Sequence, residues 1–354
     1  MYGKNANSND SSNKIMYDLN EEQYFKRLEK IVSYFALVII LIGMTGNITT
    51  FLIFRLNKEM KRMPSMVYLS FICITDTLAL FTWNLDHFLK PNYSFSIESL
   101  SIYTCKIFSF IQYFSLESSS WLLTWVAIDR YITILSLPGS LAHRLPFGTV
   151  KSSTIWSSII VAFFALLNSF LLFHDRKRTY ETVELENRTE INKTGFRCYE
   201  LSGNDFKVYI VWQNVHLVFY ELIPFILMLI FNCLLVRVTF FIFTKKSVKY
   251  NDNGHRAIRN KRMKSLTISL IILTLVFITL TLPATILYNY FYNYFQSTST
   301  LKLVITLIDY LTYINHSVIF FNCLISNLKF RNVFIKFVRN IFKIKFFELK
   351  FYKQ

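Results

Sequence analysis

Apolar runs long enough to cross a lipid bilayer alternate with short polar links along this chain, and there are seven of them. They cover residues 31–54, 66–88, 105–135, 153–173, 208–243, 266–290 and 303–325. A helix rises about 1.5 Å per residue, so runs of this length match a hydrocarbon core roughly 30 Å thick. The third run is the reference for the others: no lysine or arginine interrupts it between Lys106 and Arg130. An Asn- and Ser-rich stretch, 1–30, precedes the first run. After the last, Phe330, Phe334, Phe337, Val338 and Ile341 recur at helical spacing among Lys and Arg, which predicts a helix lying in the membrane interface. The predicted fold is an all-α membrane protein. It comprises a polar tail (1–30), a seven-transmembrane helix bundle (31–327) and a basic tail (328–354) whose amphipathic face forms a short interfacial C-terminal helix.

Composition agrees. Apolar residues make up 53% and charged residues 17%, against about 25% charged in soluble domains. The net charge of +17 invites a nucleic-acid reading, but its distribution argues otherwise. The links on one side of the seven runs, with the C-terminal tail, hold 24 basic residues against four acids, Glu59, Asp129, Asp252 and Glu348; everything else holds 15 basic and 18 acidic. That asymmetry marks the basic side as cytosolic, where anionic lipid also attracts it. Lipid bilayer, and no nucleic acid, is the expected partner. No apolar core follows the first few residues, so the first span is expected to export the N-terminal tail itself.

Sequons at Asn9, Asn92, Asn187 and Asn192 all fall on the side assigned outside, and agree with the charge-based topology. Of five cysteines, Cys73, Cys233 and Cys323 lie in apolar runs and read as core residues. Cys105 and Cys198 lie on the outer side, where oxidation is permitted. No CxxC pair suggests zinc.

Several residues stand in an order that resembles a known family. Gly46-Asn47 is in run one, Asp76 in run two, and Cys105 opens run three, which Asp129-Arg130-Tyr131 closes. Trp156 lies in run four, Cys198 in the second outer link, Pro224 and Pro283 in runs five and six, and Phe330-Arg331 after run seven. Each alone is weak, but the ordered set resembles the rhodopsin-like G-protein-coupled receptors over residues 31–338. The resemblance implies a receptor in the plasma membrane, N-terminus outside, that binds an extracellular ligand and activates a heterotrimeric G protein, with no catalytic residues and no required cofactor. A Cys105–Cys198 disulfide would pin the long outer loop to the head of span three. Asp129, Arg130 and Tyr131 are the implied G-protein contact: Arg130 pairs with Asp129 while the bundle is closed and offers its fork of donors to an inserted partner when it opens. Asp76, with Asn47, Ser119 and Asn315, matches the family's allosteric sodium site, a set of oxygens suited to a hard cation; a protonated, hydrogen-bonded aspartate is the alternative there.

The departures are as informative. The family's Asn-Pro-x-x-Tyr motif in span seven is absent, with Ile319 or Asn322-Cys323 at those positions. Thr281 stands where the family has a tryptophan in span six, and Asn232 where it has a tyrosine in span five.

The ligand is read from the outer half. Gln112 occupies the position of the amine receptors' aspartate, which argues against a small monoamine. The candidate ligand-binding set is Asp86, Gln112, Glu117, Glu221, Asp309 and Tyr313. Carboxylates at the bundle mouth favour a cationic group, and the expected ligand is a basic, amidated neuropeptide. Ile314-Asn315-His316-Ser317 and the Leu328-Lys329-Phe330-Arg331 stretch also look like those of invertebrate FMRFamide-type receptors. Internal pairing of Asp86 and Asp309 is the competing reading. A chemosensory receptor of the same fold for a small organic ligand, and more distantly a seven-span membrane enzyme or pump, are the rival functions. Six histidines scattered over different segments argue against the enzyme.

Overall fold

The computed structural model describes the backbone of residues 6–135, 145–173, 176–185, 188–201, 211–212, 214–246, 254–291, 294 and 298–351. Side chains are described for 23–135, 145–173, 211–212, 214–238, 268–291, 294, 298 and 300–340. Helix α1 (Ala6–Leu56) runs without a break from the polar tail through the first span. Helices α2 (Pro64–Phe81) and α3 (Trp83–Tyr93) make the second span, interrupted at Thr82. Then come α4 (Ile102–Leu135), α5 (Val150–Asn168) and the single turn α6 (Phe170–Phe173). Helix α7 (Ile223–Lys246) and helix α8 (Gly254–Ile286) form the fifth and sixth spans, each with a π-helical turn at its outer end, Leu217–Leu222 and Leu287–Phe291. The last span is α9 (Ser299–Asn315) with α10 (Val318–Ser326), and α11 (Leu328–Phe351) follows.

Five of these helical segments are long and apolar enough to cross a membrane on their own. The α9–α10 pair, bent by 47°, makes a sixth. The seventh is α4, whose 34 residues span about 50 Å at 1.5 Å each but are too polar to qualify by composition. Its polar residues explain this. Ser109, Gln112, Ser115, Glu117, Ser118, Ser119, Ser120, Thr124 and Asp129 are all buried, because α4 packs against α2, α5, α7 and the α6 turn. In lipid the hydrophobic effect does not drive helices together; packing and interhelical polar contacts do. The most polar span therefore sits in the middle, while large apolar side chains such as Ile31, Phe35, Leu166 and Phe173 face outward.

Span one approaches span seven closely. A Cβ added at Gly46 would lie 3.0 Å from the Phe320 Cβ, so a side chain there would push these closely packed helices apart by a few tenths of an ångström. The bend between α9 and α10 contains no proline; it falls at His316 and Ser317.

Two elements differ from the sequence expectation. The outer segment after α6 is an antiparallel hairpin of β1 (Arg176–Leu185) and β2 (Arg188–Leu201), whose register closes at Leu185↔Arg188. It lies against α4. The second difference is the tight outer turn after span two: Asn92, expected in a loop, is in the last turn of α3. At the other end, Asn327 Oδ1 accepts from Lys329 N and Phe330 N and starts α11. Phe330 is fully buried against Phe54, with ring centroids 5.6 Å apart. Val333, Phe334, Phe337 and Val338 are half-buried while Arg331, Lys336 and Arg339 are exposed. Of the face anticipated from spacing, Phe330, Phe334, Phe337 and Val338 are turned inward; the side chain of Ile341 lies outside the described residues.

Candidate functional site

Buried acids lie at several levels of the bundle, and most are held by groups on neighbouring spans. One of them is Asp76 on α2. Its Oδ1 accepts from Ser119 Oγ at 2.6 Å and lies 2.7 Å from His316 Nδ1. Asn47 Nδ2 donates to the His316 carbonyl at 3.0 Å, a backbone oxygen left without a helical partner by the break after α9. Asn315 is half-buried and is not among the hydrogen-bonding partners of Asp76. The expected sodium set is thus corrected: Ser119 is in place, but His316 stands where Asn315 was expected. A hard cation wants oxygen ligands, and a ring nitrogen occupies this face of the carboxylate. The residues present do not fit sodium.

Glu117, on α4, is fully buried. Asn168 Nδ2 on α5 donates to its Oε2 at 2.7 Å, and His216 Nδ1, just before the fifth span's π-turn, lies 2.9 Å from its Oε1. The His216 ring stacks on Tyr220 and meets Tyr113 edge-on. Three spans converge on this one carboxylate.

Glu221 lies in the π-turn itself and is equally buried. Thr281 Oγ1 donates to its Oε2 at 3.0 Å and Thr285 Oγ1 to its Oε1 at 2.8 Å. The two threonines are one helical turn apart on α8, so they present adjacent hydroxyls. The π-turn precedes Pro224, which cannot donate a backbone N–H, and the Phe219 carbonyl within it is taken by Trp121 Nε1 at 2.8 Å.

Nearest the mouth are Asp309 and Asp86. Tyr288 OH donates to Asp309 Oδ2 at 2.7 Å, and His87 Nε2 lies 3.4 Å from the same oxygen. Tyr310 and Tyr313 meet the His87 ring edge-on, and Tyr313 is buried. Asp86 accepts from Ser96 Oγ, Ile97 N and Glu98 N at 2.6, 2.8 and 3.1 Å. It therefore organises the first outer loop, and its expected place at an open mouth is corrected: internal pairing describes it. Gln112 accepts from the Thr82 hydroxyl at the break between α2 and α3.

At the opposite end, Asp129 is buried and accepts from Gly148 N at 3.0 Å. Gly148 has φ +75°, and a Cβ there would lie 2.8 Å from Thr133 Oγ1, so conformation and space both require glycine. Its position just before Thr149, which caps α5 through a reciprocal bond with Ser152, ties the foot of span three to the start of span four. The Tyr131 ring meets Phe231 edge-on at 5.6 Å, and Arg130 is half-buried.

The sequence of residues 46–319 matches the profile of the 7 transmembrane receptor (rhodopsin family). The chain belongs to that receptor family. The receptor is similar to C-C chemokine receptor type 3 of Cavia porcellus, 29% identical over 154 residues, 40% of this chain and 37% of the relative. It is also similar to the thyrotropin-releasing hormone receptor of Homo sapiens, 27% identical over 169 residues, 45% and 41% of the two chains. With the Galanin-like G-protein coupled receptor npr-9 of Caenorhabditis elegans it shares 26% identity over 137 residues, 39% and 31% of the two. Each match spans less than half of the relative's length. The family is one of receptors, not enzymes, and its fold is the seven-span membrane bundle.

Positions where this receptor departs from the family pattern now have local explanations. Thr281 serves Glu221. Asn232 Nδ2 donates to Thr274 Oγ1 at 2.7 Å, joining spans five and six. Asn322 Nδ2 donates to Ser269 Oγ at 2.8 Å, joining spans seven and six. Ile319 and Cys323 are plain buried core.

Sequence reasoning missed three histidines. His87, His216 and His316 each face an acid on another span. Their scatter along the chain hid this, since facing pairs depend on how each helix is rotated. The remaining site residues are partly outside the described set. Cys105 is buried and disulfide-bonded; the side chain of Cys198, on β2, is not described. The same holds for Asn9 and Asn192, and Asn187 lies outside the described residues. Asn92 spends its amide on Ser33 Oγ at 2.7 Å and the Phe88 carbonyl at 2.8 Å.

Proposed function

We propose that the chain is a plasma-membrane receptor, N-terminus outside, that binds a basic, amidated peptide of the FMRFamide type and activates a heterotrimeric G protein. The observation that carries the ligand class is the contrast among the buried acids. Asp76, Glu117 and Asp309 each face a histidine, and Asp86 and Asp129 accept from backbone N–H groups. Glu221 faces two hydroxyls, and among the described residues no basic side chain lies within ion-pair distance of it. An ionisable group held inside a membrane protein without a counter-charge is a ligand or ion site by default. Each Glu221 oxygen retains a lone pair beyond its threonine bond, which suits the paired donors of an arginine or the amine of a lysine. The relatives named for chemokine, thyrotropin-releasing hormone and galanin-like signals support a peptide messenger. Asp309, Tyr288 and Tyr313 form the aromatic and acidic entry above, and a Cys105–Cys198 bridge holds the hairpin over it. Asp129, Arg130 and Tyr131 supply the G-protein face.

The test is a second-messenger screen of basic peptide amides on cells expressing the full chain. For a peptide that responds, Glu221→Gln is expected to weaken potency about 10- to 100-fold, the value of a charge-assisted hydrogen bond of roughly 1.5–3 kcal/mol, with a smaller loss for Asp309→Asn. Unchanged potency in Glu221→Gln would remove the anchor. A response to an uncharged organic compound alone would favour the chemosensory alternative.

A further inference from the structure

We propose that the buried site at Asp76 is closed to sodium because the His316 imidazole takes the place of the cation, making a direct link between spans two and seven. The geometry is specific. Asp76 Oδ1 already accepts from Ser119 at 2.6 Å, and His316 Nδ1 lies 2.7 Å from the same oxygen. With the carboxylate ionised, that nitrogen is the donor, so a positively polarised N–H or a full imidazolium points at the position where a metal ion would sit. Either form repels a second cation. His316 is 1% exposed and Asp76 4%, so the contact is shut off from bulk solvent.

Two features hold the ring in place. The 47° break between Asn315 and Val318 sets His316 at the bend instead of inside a regular helix. Asn47 then fastens its carbonyl to span one at 3.0 Å. One residue thus connects spans one, two and seven. Asn47 Oδ1 and His316 Nε2 are buried without hydrogen-bond partners among the described residues. The first is an oxygen and the second a nitrogen, whereas a hard cation prefers a shell of oxygen alone.

The purified full-length receptor in detergent decides the matter by thermal unfolding in sodium chloride against choline chloride at equal ionic strength. The expected result is the same midpoint in both salts across a sodium titration. A saturable rise specific to sodium would overturn the proposal. A double-mutant cycle tests the link itself: Asp76→Asn, His316→Leu and the double variant are compared for unfolding midpoint. Coupling is expected, with the second substitution adding less than half of its separate effect. Strictly additive shifts would overturn the proposed link. The sodium comparison uses the unaltered chain, so it decides even where a variant does not accumulate.

Discussion

Glu117→Ala is expected to be the most destabilising single substitution in the buried polar network. The carboxylate is fully buried and joins three spans through Asn168 and His216. Removing it takes the carboxylate from His216 and leaves Asn168 with the Phe164 carbonyl alone. Breaking a buried pair by deleting one partner costs roughly 3–5 kcal/mol. Glu117→Gln keeps the shape and one acceptor, and is expected to lose less than half as much. The measurement is the apparent unfolding midpoint of the solubilised protein, with surface expression beside it. A Glu117→Ala protein as stable as the parent would mean that spans three, four and five are held by apolar packing alone.

Arg130→Ala is expected to separate binding from signalling. Arg130 sits at the inner end of span three beside Asp129, whose carboxylate is engaged by the backbone of Gly148. The acid is thus fixed to the link before span four, and it holds that link whether or not the arginine is present. Folding and ligand affinity should therefore survive the substitution. Stimulated nucleotide exchange on the G protein should fall by about 10- to 100-fold or more, since hydrogen bonds to a charged partner contribute roughly 1.5–3 kcal/mol. Membranes from expressing cells provide both readouts. Exchange that persists at the parental level would contradict the assigned role.

Much of this architecture was legible in the sequence because membrane physics restricts the choices. A backbone that crosses lipid must be helical or a closed barrel, so run length alone placed the spans. The face of α11 containing Phe330, Phe334 and Phe337 followed from spacing. What escaped was whatever depends on helix rotation. His87 follows Asp86 directly in the sequence, yet it faces Asp309 on span seven. His316 follows Asn315, and a single step along the helix decides which of them meets Asp76. The bend that turns His316 inward has no proline to announce it. Asp86 read as an unpaired acid because its donors are backbone N–H groups of a loop, which carry no sequence signature. The hairpin of β1 and β2 did leave a signal, in the Thr-, Val- and Tyr-containing strands on either side of Glu186-Asn187.

The departures at Thr281, Asn232 and Asn322 make the same point in reverse. Read singly, each is a lost family residue. Read with their neighbours, they form hydrogen bonds between spans five, six and seven. The half of span six nearer Gly254 is therefore held by polar contacts on both sides, and these must part if that end of the bundle is to open.

The central claim is that one face of a seven-span bundle meets the outside and the face bearing Arg130 meets the cytosol. It is tested most directly by epitope tags at the two ends of the chain, stained in intact and then in permeabilised cells. The N-terminal tag is expected to stain on intact cells and the C-terminal tag only after permeabilisation. Staining of the C-terminal tag on intact cells, or of both tags there, would contradict it.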